Sequence, residues 1–218
     1  MTPQAFIAEL DAQNQQALAA LMGRGASQKG TDEALTVPRL LALALKNELE
    51  ATECAAGWIA TTRELGAKLA FARQAGDEAK HYRMIEKRLI ALGVDPTLHD
   101  PTRQPPSPML TWLRSLETTV ERVAAGQFTR EALAIVRNDA FIRFAEAAGD
   151  EATAALYREH IQPDEKHHHE LGRSLLIELA TTDALQHTAR QAAQKTLAIA
   201  DELQEIARLK GVTHAPGC

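Results

Sequence analysis

A proline-rich stretch in the middle of the chain separates two pairs of long helix-forming segments. Residues 93–109 hold five of the nine prolines, a density that excludes a continuous helix. The four flanking segments are residues 37–62, 64–92, 110–148 and 150–180. Within each pair the connection is so short that the helices must pack side by side and antiparallel. The proline-rich stretch is long enough to cross the length of such a hairpin. The sequence therefore predicts two antiparallel helix hairpins joined by one long crossover.

Composition favours helix throughout the chain. Alanine, leucine and glutamate are abundant, aromatic residues make up 4%, and no strand-like alternation of apolar residues is present. Two further helices are predicted at residues 3–22 and 183–210, packed outside the bundle. We expect an all-α chain with an N-terminal helix and linker (1–33), a four-helix bundle (34–182), and a C-terminal helix and tail (183–218).

Charge, cysteine content and hydropathy exclude several classes of protein. The net charge is −5 and the pI is about 5.9, which argues against a nucleic-acid-binding surface. Cys54 and Cys218 form neither a disulfide framework nor a zinc-binding pair. The first 30 residues lack the pattern of a signal peptide, and no apolar run approaches the length of a membrane span. We expect a cytoplasmic protein with no membrane partner.

The order Asp-Glu-x-x-His occurs twice, at residues 77–81 and 164–168. In both copies the glutamate and the histidine lie on an otherwise apolar helix face, because residues three positions apart share a face. These four residues are Glu78 and His81 in the first copy, and Glu165 and His168 in the second. The neighbouring histidines at 160, 167 and 169 fall on polar rows, so we predict that they are surface residues.

The other two long segments each place a carboxylate on an apolar face. In the first it is Glu48, whereas Glu50 and Glu53 fall on a polar row and are predicted to be solvent charges. In the third segment Glu131 and Asp139 both share faces with apolar residues. Glu131 is favoured by its spacing from the next motif and by the longer reach of glutamate, and Asp139 is the alternative.

A carboxylate buried among apolar side chains must either take up a proton or bind a cation. Four glutamates and two neutral imidazoles offer oxygen and nitrogen ligands that suit two iron ions, with manganese as the alternative. Glutamates from two helices combined with Glu-x-x-His from the other two form a known di-metal pattern of four-helix bundles. The sequence therefore predicts a di-metal site at Glu48, Glu78, His81, Glu131, Glu165 and His168.

In these residues the chain resembles the ferritin-like di-iron carboxylate superfamily. The spacings of 30 residues from Glu48 to Glu78 and 34 from Glu131 to Glu165 are similar to those of di-iron monooxygenases and hydroxylases. The resemblance implies a ferritin-like four-helix bundle. It also implies that Asp77 and Asp164, which precede the two motifs, lie behind the ligands and orient a ligand histidine.

The resemblance also implies a function. We expect O2-dependent oxidation of a small organic substrate at two iron ions, with electrons from a separate reductase and a homodimer as the assembly. The alternatives are a ferroxidase or iron-binding protein without an organic substrate, and a metal-free helical interaction protein. Small residues beside the ligands either leave room for a substrate or let the helices approach closely; they are Ala51, Ala55, Ala124, Ala134 and Gly172. Tyr82 and Tyr157 are interpreted as core or rim aromatics rather than radical sites.

Overall fold

The computed structural model of the chain describes residues 1–26, 35–209 and 216. Every regular element in these residues is helical, which confirms the all-α prediction. The predicted loose segment at 23–33 overlaps the first helix at its start, and the rest of it lies outside the described residues. The predicted tail also lies outside them, apart from Pro216. None of the helices described is both long and apolar enough to cross a membrane.

The four-helix bundle consists of two hairpins. In chain order the elements are α1 (Pro3–Ala26), α2 (Val37–Thr61), α3 (Leu65–Ala91), α4 (Pro108–Arg114), α5 (Thr119–Arg122), the π-helical segment π1 (Val123–Arg130), α6 (Glu131–Ala147), α7 (Glu151–Leu156), the π-helical segment π2 (Tyr157–Ile161), α8 (Gln162–Leu179) and α9 (Asp183–Leu209). The first hairpin is α2 with α3. The second pairs the continuous helix α5–π1–α6 with the continuous helix α7–π2–α8. Gly149, with a φ of 75°, makes the left-handed turn between the two halves of the second hairpin.

The predicted third helix, 110–148, is wrong at its start. Its first part is the separate helix α4, and the bundle helix begins again only at α5. Thr118 caps α5: its side chain accepts a hydrogen bond from the backbone N–H of Glu121, while the Glu121 carboxylate accepts one from the backbone N–H of Thr118. This reciprocal capping starts the bundle helix at α5, whereas α4 has already ended at Arg114.

The crossover is more helical than its prolines predicted. Two 3₁₀ turns, Pro96–His99 and Pro101–Arg103, precede α4. All three elements begin with proline, whose fixed φ suits a first helical position and whose missing N–H is not needed there. The side chains of Asp95 and Asp100 cap the 3₁₀ turns by accepting hydrogen bonds from the backbone N–H groups of Thr97 and Thr102.

Glu50 fastens the crossover to α2, so its prediction as a solvent charge is wrong. Only 9% of Glu50 is exposed, and its carboxylate accepts hydrogen bonds from the backbone N–H and the hydroxyl of Ser107, at 2.8 and 2.5 Å. Lys46, one turn earlier, donates to the carbonyl of Pro105 at 2.7 Å. Glu53 remains largely exposed and pairs with Arg114.

The interior contains two hydrophobic cores. One includes Trp58 and Phe71 together with apolar residues of α1 and α9. The other includes Leu41 and Ile85 and lies at the opposite end of the bundle. On α2, α3 and α8 the predicted ligands fall between the two cores. The terminal helices α1 and α9 pack against each other and on the second hairpin, α1 against α8 and α9 against π1.

Candidate metal centre

The fold brings all six predicted ligands together in the middle of the bundle. Each of the four bundle helices contributes, and all six side chains have 0% exposure. They form two groups: Glu48, Glu78, His81 and Glu165, and Glu78, Glu131, Glu165 and His168. Within each group one potential ligand atom per residue lies within 4.8 Å of all the others. Glu78 and Glu165 belong to both groups, so they stand between two adjacent cation-sized positions.

The third helix contributes Glu131 to this cluster. Asp139 is exposed and accepts a hydrogen bond from Gln162 at 2.8 Å. It belongs to neither group of potential ligands. The arrangement therefore favours Glu131 over its alternative, although coordination of a metal by any of these residues remains a prediction.

Each histidine predicted as a ligand is held by the aspartate of the other motif. His81 Nε2 lies 3.1 Å from Asp164 Oδ2, and His168 Nε2 lies 3.1 Å from Asp77 Oδ2. Because a carboxylate accepts the Nε2 hydrogen, the Nδ1 atom of each ring is left to face the glutamates. His81 Nδ1 is 3.2 Å from Glu78 Oε2. The crossed contacts join α3 to α8 and fix both ring orientations.

The two aspartates are also paired with cations of α3 at the edge of the bundle. Lys80 Nζ lies 3.1 Å from Asp164 Oδ2, and Arg73 Nε lies 3.3 Å from Asp77 Oδ2. Partial burial acts to raise the pKa of Asp164, but hydrogen bonds and charges from Lys80 and His81 outweigh it and lower that pKa. Asp164 therefore stays ionised and can act as the acceptor for the imidazole.

Several buried atoms in the cluster are arranged for a cation rather than for one another. Neither carboxylate oxygen of Glu48 has a hydrogen-bond partner in the described part of the chain, and the same holds for His168 Nδ1. The carboxylate oxygens nearest to His168 Nδ1 belong to Glu78, Glu165 and Glu131, at 3.6, 3.7 and 3.9 Å. These distances are too long for hydrogen bonds but fit atoms placed around a shared ion. The residues therefore fit a pair of iron or manganese ions, which favour such oxygen and nitrogen donors.

Without metal, protons supply the positive charge in the cluster. Burial raises the pKa of Glu48 to about 7 and that of Glu165 well above its usual range. Burial alone would lower the histidine pKa values, but the surrounding glutamates raise them to about 12 for His81 and about 11 for His168. Burial likewise opposes ionisation of Glu131, yet a hydrogen bond from Glu165 and the positive charges of His168 and Arg130 bring its pKa to about 2. Metal binding must therefore displace protons.

Two buried glutamines near the cluster were missed in the sequence. Gln74 donates from Nε2 to Glu131 Oε1 at 2.6 Å and lies 3.4 Å from Glu78 Oε1. Gln127 is fully buried, and its amide has no hydrogen-bond partner among the residues described. Each glutamine precedes a cluster glutamate by four residues on the same helix. This repeated Gln-x-x-x-Glu spacing is the signal that could have identified them.

Both π-helical segments lie just before a cluster glutamate. π1 ends at Arg130, next to Glu131, and π2 ends at Ile161, four residues before Glu165. Pro163 has no N–H to donate to the carbonyl of Glu159, four residues earlier, and the helix is π-helical around that carbonyl, in π2. A π turn shifts the hydrogen-bond register and is common at functional sites.

His169 is not the surface residue that its polar row predicted. Its side chain is only 12% exposed, and Nδ1–H donates to the carbonyl of Phe128 in π1 at 2.7 Å. The two rings stack with centroids 4.8 Å apart. His160 is exposed and His167 is half-buried. His169 therefore satisfies a π-helix carbonyl and ties π1 to α8.

The two tyrosines occupy the positions predicted for core and rim aromatics. Tyr157 is fully buried and meets Phe141 edge to face, with ring centroids 4.8 Å apart. Its hydroxyl has no hydrogen-bond partner in the part of the chain described. Tyr82 is half-buried and packs at the margin of the same core.

Two helix hairpins joined by a long crossover, with a carboxylate-histidine cluster drawn from all four helices, define a ferritin-like bundle. The family model for the ferritin-like domain matches residues 58–180. That span covers more than half of the chain, and the chain belongs to this family. It contains every cluster residue except Glu48. No curated protein and no solved structure gives a significant match.

Proposed function

We propose that the chain is a di-iron carboxylate protein that uses O2 to oxidise a small organic substrate. The observation that carries the proposal is the pair of ligand groups sharing Glu78 and Glu165. Glu48 and His81 would hold one ion, Glu131 and His168 the other, and Glu78 and Glu165 both. Manganese could occupy the same donors. A separate reductase as electron donor and a homodimeric assembly are parts of the proposal that need their own tests.

Ferrous iron bound here would supply the electrons for the reduction of O2. The protein's contribution is to fix the ligands and keep water out. Asp77 and Asp164 hold the imidazoles of His168 and His81 with Nδ1 toward the cluster. Carboxylate partners of this kind raise the basicity of a ligand histidine. Bound cations would neutralise the negative charge of the buried glutamates. The protons that neutralise the cluster in the metal-free state would then be released.

The surroundings of the cluster favour an organic substrate over iron storage. All six side chains have 0% exposure, and apolar cores lie on both sides of them. Dioxygen and small apolar molecules enter such an interior at little cost. A hydrated iron ion must lose its water shell first, so repeated passage of iron would call for a polar path.

Elemental analysis of ferrous-loaded protein, prepared without oxygen, tests the metal site. We expect about two irons per chain, because the two groups of potential ligands share Glu78 and Glu165. Glu78→Ala and Glu165→Ala should lose both ions because both groups share these residues, whereas Glu131→Ala should lose one. Asp139→Ala is the matched control, since this carboxylate lies outside the cluster, and should keep both.

Oxygen consumption by the loaded protein then distinguishes the functions. Uptake that depends on both a reductant and an added organic compound, with an oxidised product, supports the proposal. Uptake that follows ferrous iron alone, with ferric iron as the product, would point to a ferroxidase. Failure of the parent chain to bind metal would overturn the proposal and leave a helical interaction protein.

A further inference from the structure

The cluster has no direct opening to solvent in the described structure, because its six ligand side chains are fully buried. A small molecule that reaches it must pass between helices. A hollow of about 290 Å³ lies on the outer side of α2 and α3, with the crossover at its rim. Its lining residues are Leu49, Thr52, Ala79, Tyr82, Arg83 and Thr102.

This hollow adjoins the same helical turns that carry the ligands. Three lining residues directly follow predicted ligands in the chain: Leu49 after Glu48, Ala79 after Glu78 and Tyr82 after His81. The hydroxyl of Thr52 donates to the backbone carbonyl of Glu48 at 2.8 Å. The floor of the hollow is therefore the outer side of the helix turns that bear one ligand group.

The lining selects for a neutral, mainly apolar molecule. Apart from Arg83 it consists of leucine, alanine, threonine and tyrosine side chains. The Arg83 guanidinium is engaged by Glu86 at 2.9 Å and lies 5.7 Å from the centre of the Tyr82 ring. By contrast, an adjoining hollow of similar size, which shares Leu49 and Thr102 with the first, includes four charged residues in its lining: Lys46, Glu50, Glu53 and Arg114. The volume is at the lower end of ligand pockets, which range from about 300 to 1,000 Å³.

Tyr82 lies between the hollow and the interior. Its side chain lines the hollow and also packs against the core that contains Ile85. It is half-buried and directly follows His81. Tyr82 is the lining residue of the hollow that also packs in a hydrophobic core, so rotation of its ring is the movement by which a path towards His81 would open.

We propose that this hollow is the docking site and entrance for a small, neutral, mainly apolar molecule, and that Tyr82 is its gate. The inference rests on the proposed function, because it takes the cluster to be the destination.

The test measures how fast 2,2′-bipyridine, a neutral planar chelator, removes iron from the loaded full-length protein. Ala79 is exposed, so Ala79→Leu should fill the hollow without disturbing the core and slow removal by about tenfold. Tyr82→Ala should open the gate and accelerate it. Ala72→Leu is the matched control, an exposed alanine of the same helix outside the hollow, and should match the parent rate.

Iron content before chelation separates the two proposals. If the parent retains iron but removal from Ala79→Leu is as fast as from the parent and Ala72→Leu, the entrance is refuted and the metal site stands. If the parent retains no iron, the proposed function fails and the entrance fails with it. An anionic sulfonated chelator provides a further check. Its removal rate should not respond to Ala79→Leu, and an equal slowing of both chelators would overturn the selectivity for neutral molecules.

Discussion

Gly172 on α8 is the position where a single methyl group should disturb both the fold and the metal site. A Cβ at this residue would lie 2.8 Å from the backbone carbon of Gln127 and 2.8 Å from the backbone nitrogen of Phe128. Non-bonded carbon atoms pack at about 3.5–4.0 Å, so Gly172→Ala must push α8 and π1 apart by roughly 1 Å. The obstructing atoms belong to backbone and cannot rotate away. Overpacking of this kind costs about 1–3 kcal/mol, which corresponds to a Tm lower by roughly 2–12 °C for a chain of this length.

The same displacement reaches two of the residues predicted as metal ligands. Glu131 directly follows π1, and His168 lies one turn before Gly172 on α8. Functional sites tolerate displacements of only about 0.5 Å, so the Glu131 and His168 group should lose its ion while the other group keeps its own. Circular dichroism melting of the metal-free protein and iron content per chain measure the two effects.

Gly76 provides the matched control for this substitution. It lies within α3, and no atom stands within 4 Å of a Cβ built there. Gly76→Ala should stabilise the protein by about 0.5–1 kcal/mol, because alanine is the better helix former. A Gly172→Ala protein with the parent's Tm and full iron content would refute the close-packing argument.

Three further predictions concern the aspartates behind the cluster, the protons of the cluster and the buried thiol of Cys54. Asp77→Asn and Asp164→Asn should each weaken metal binding by about 10–100-fold in a chelator competition, and parent-like affinity would contradict the orienting role. The metal-free protein should lose stability between about pH 7 and about pH 9, since unfolded histidine has a pKa of about 6.5. Folded His81 and His168, with pKa values of about 12 and 11, still hold their protons there; a rising Tm would contradict this. Cys54 is 3% exposed, with a pKa raised by burial to about 12, and should resist iodoacetamide until the protein is unfolded. Labelling of Cys54 in the native protein, distinguished from Cys218 by peptide mapping, would contradict this.

The parts of the fold that depend on residues close together in the chain were predictable from the sequence. Prolines and short turns define the two hairpins because they restrict the backbone at the positions where they occur. The misplaced start of the third helix has a local cause as well. Met109 and Leu113 continue the apolar periodicity of the next helix, which hid the break. The Thr118-x-x-Glu121 capping box was present in the sequence as a sign of that break.

For the candidate site, the sequence predicts which side chains of each helix share the buried face. Periodicity describes each helix alone, so it cannot identify partners that are distant in the chain. Glu50 was misassigned because its partner, Ser107, is 57 residues away. His169 was misassigned because the carbonyl that it binds belongs to Phe128, 41 residues earlier. Periodicity also could not show that each aspartate contacts the histidine of the other motif, because these contacts depend on how α3 packs against α8.

The two halves of the cluster are not built alike. In the described structure both π segments belong to the second hairpin, whereas α2 and α3 are regular α-helices. The loosened register of π1 is held by His169, which binds the carbonyl of Phe128. Arg173 lies 5.9 Å from the centre of the Phe128 ring and forms an ion pair with Asp11 of α1. A terminal helix outside the four-helix bundle thus braces the segment that positions Glu131. Loss of the Asp11 contact should therefore loosen the Glu131 half of the site first, because α1 packs on the second hairpin.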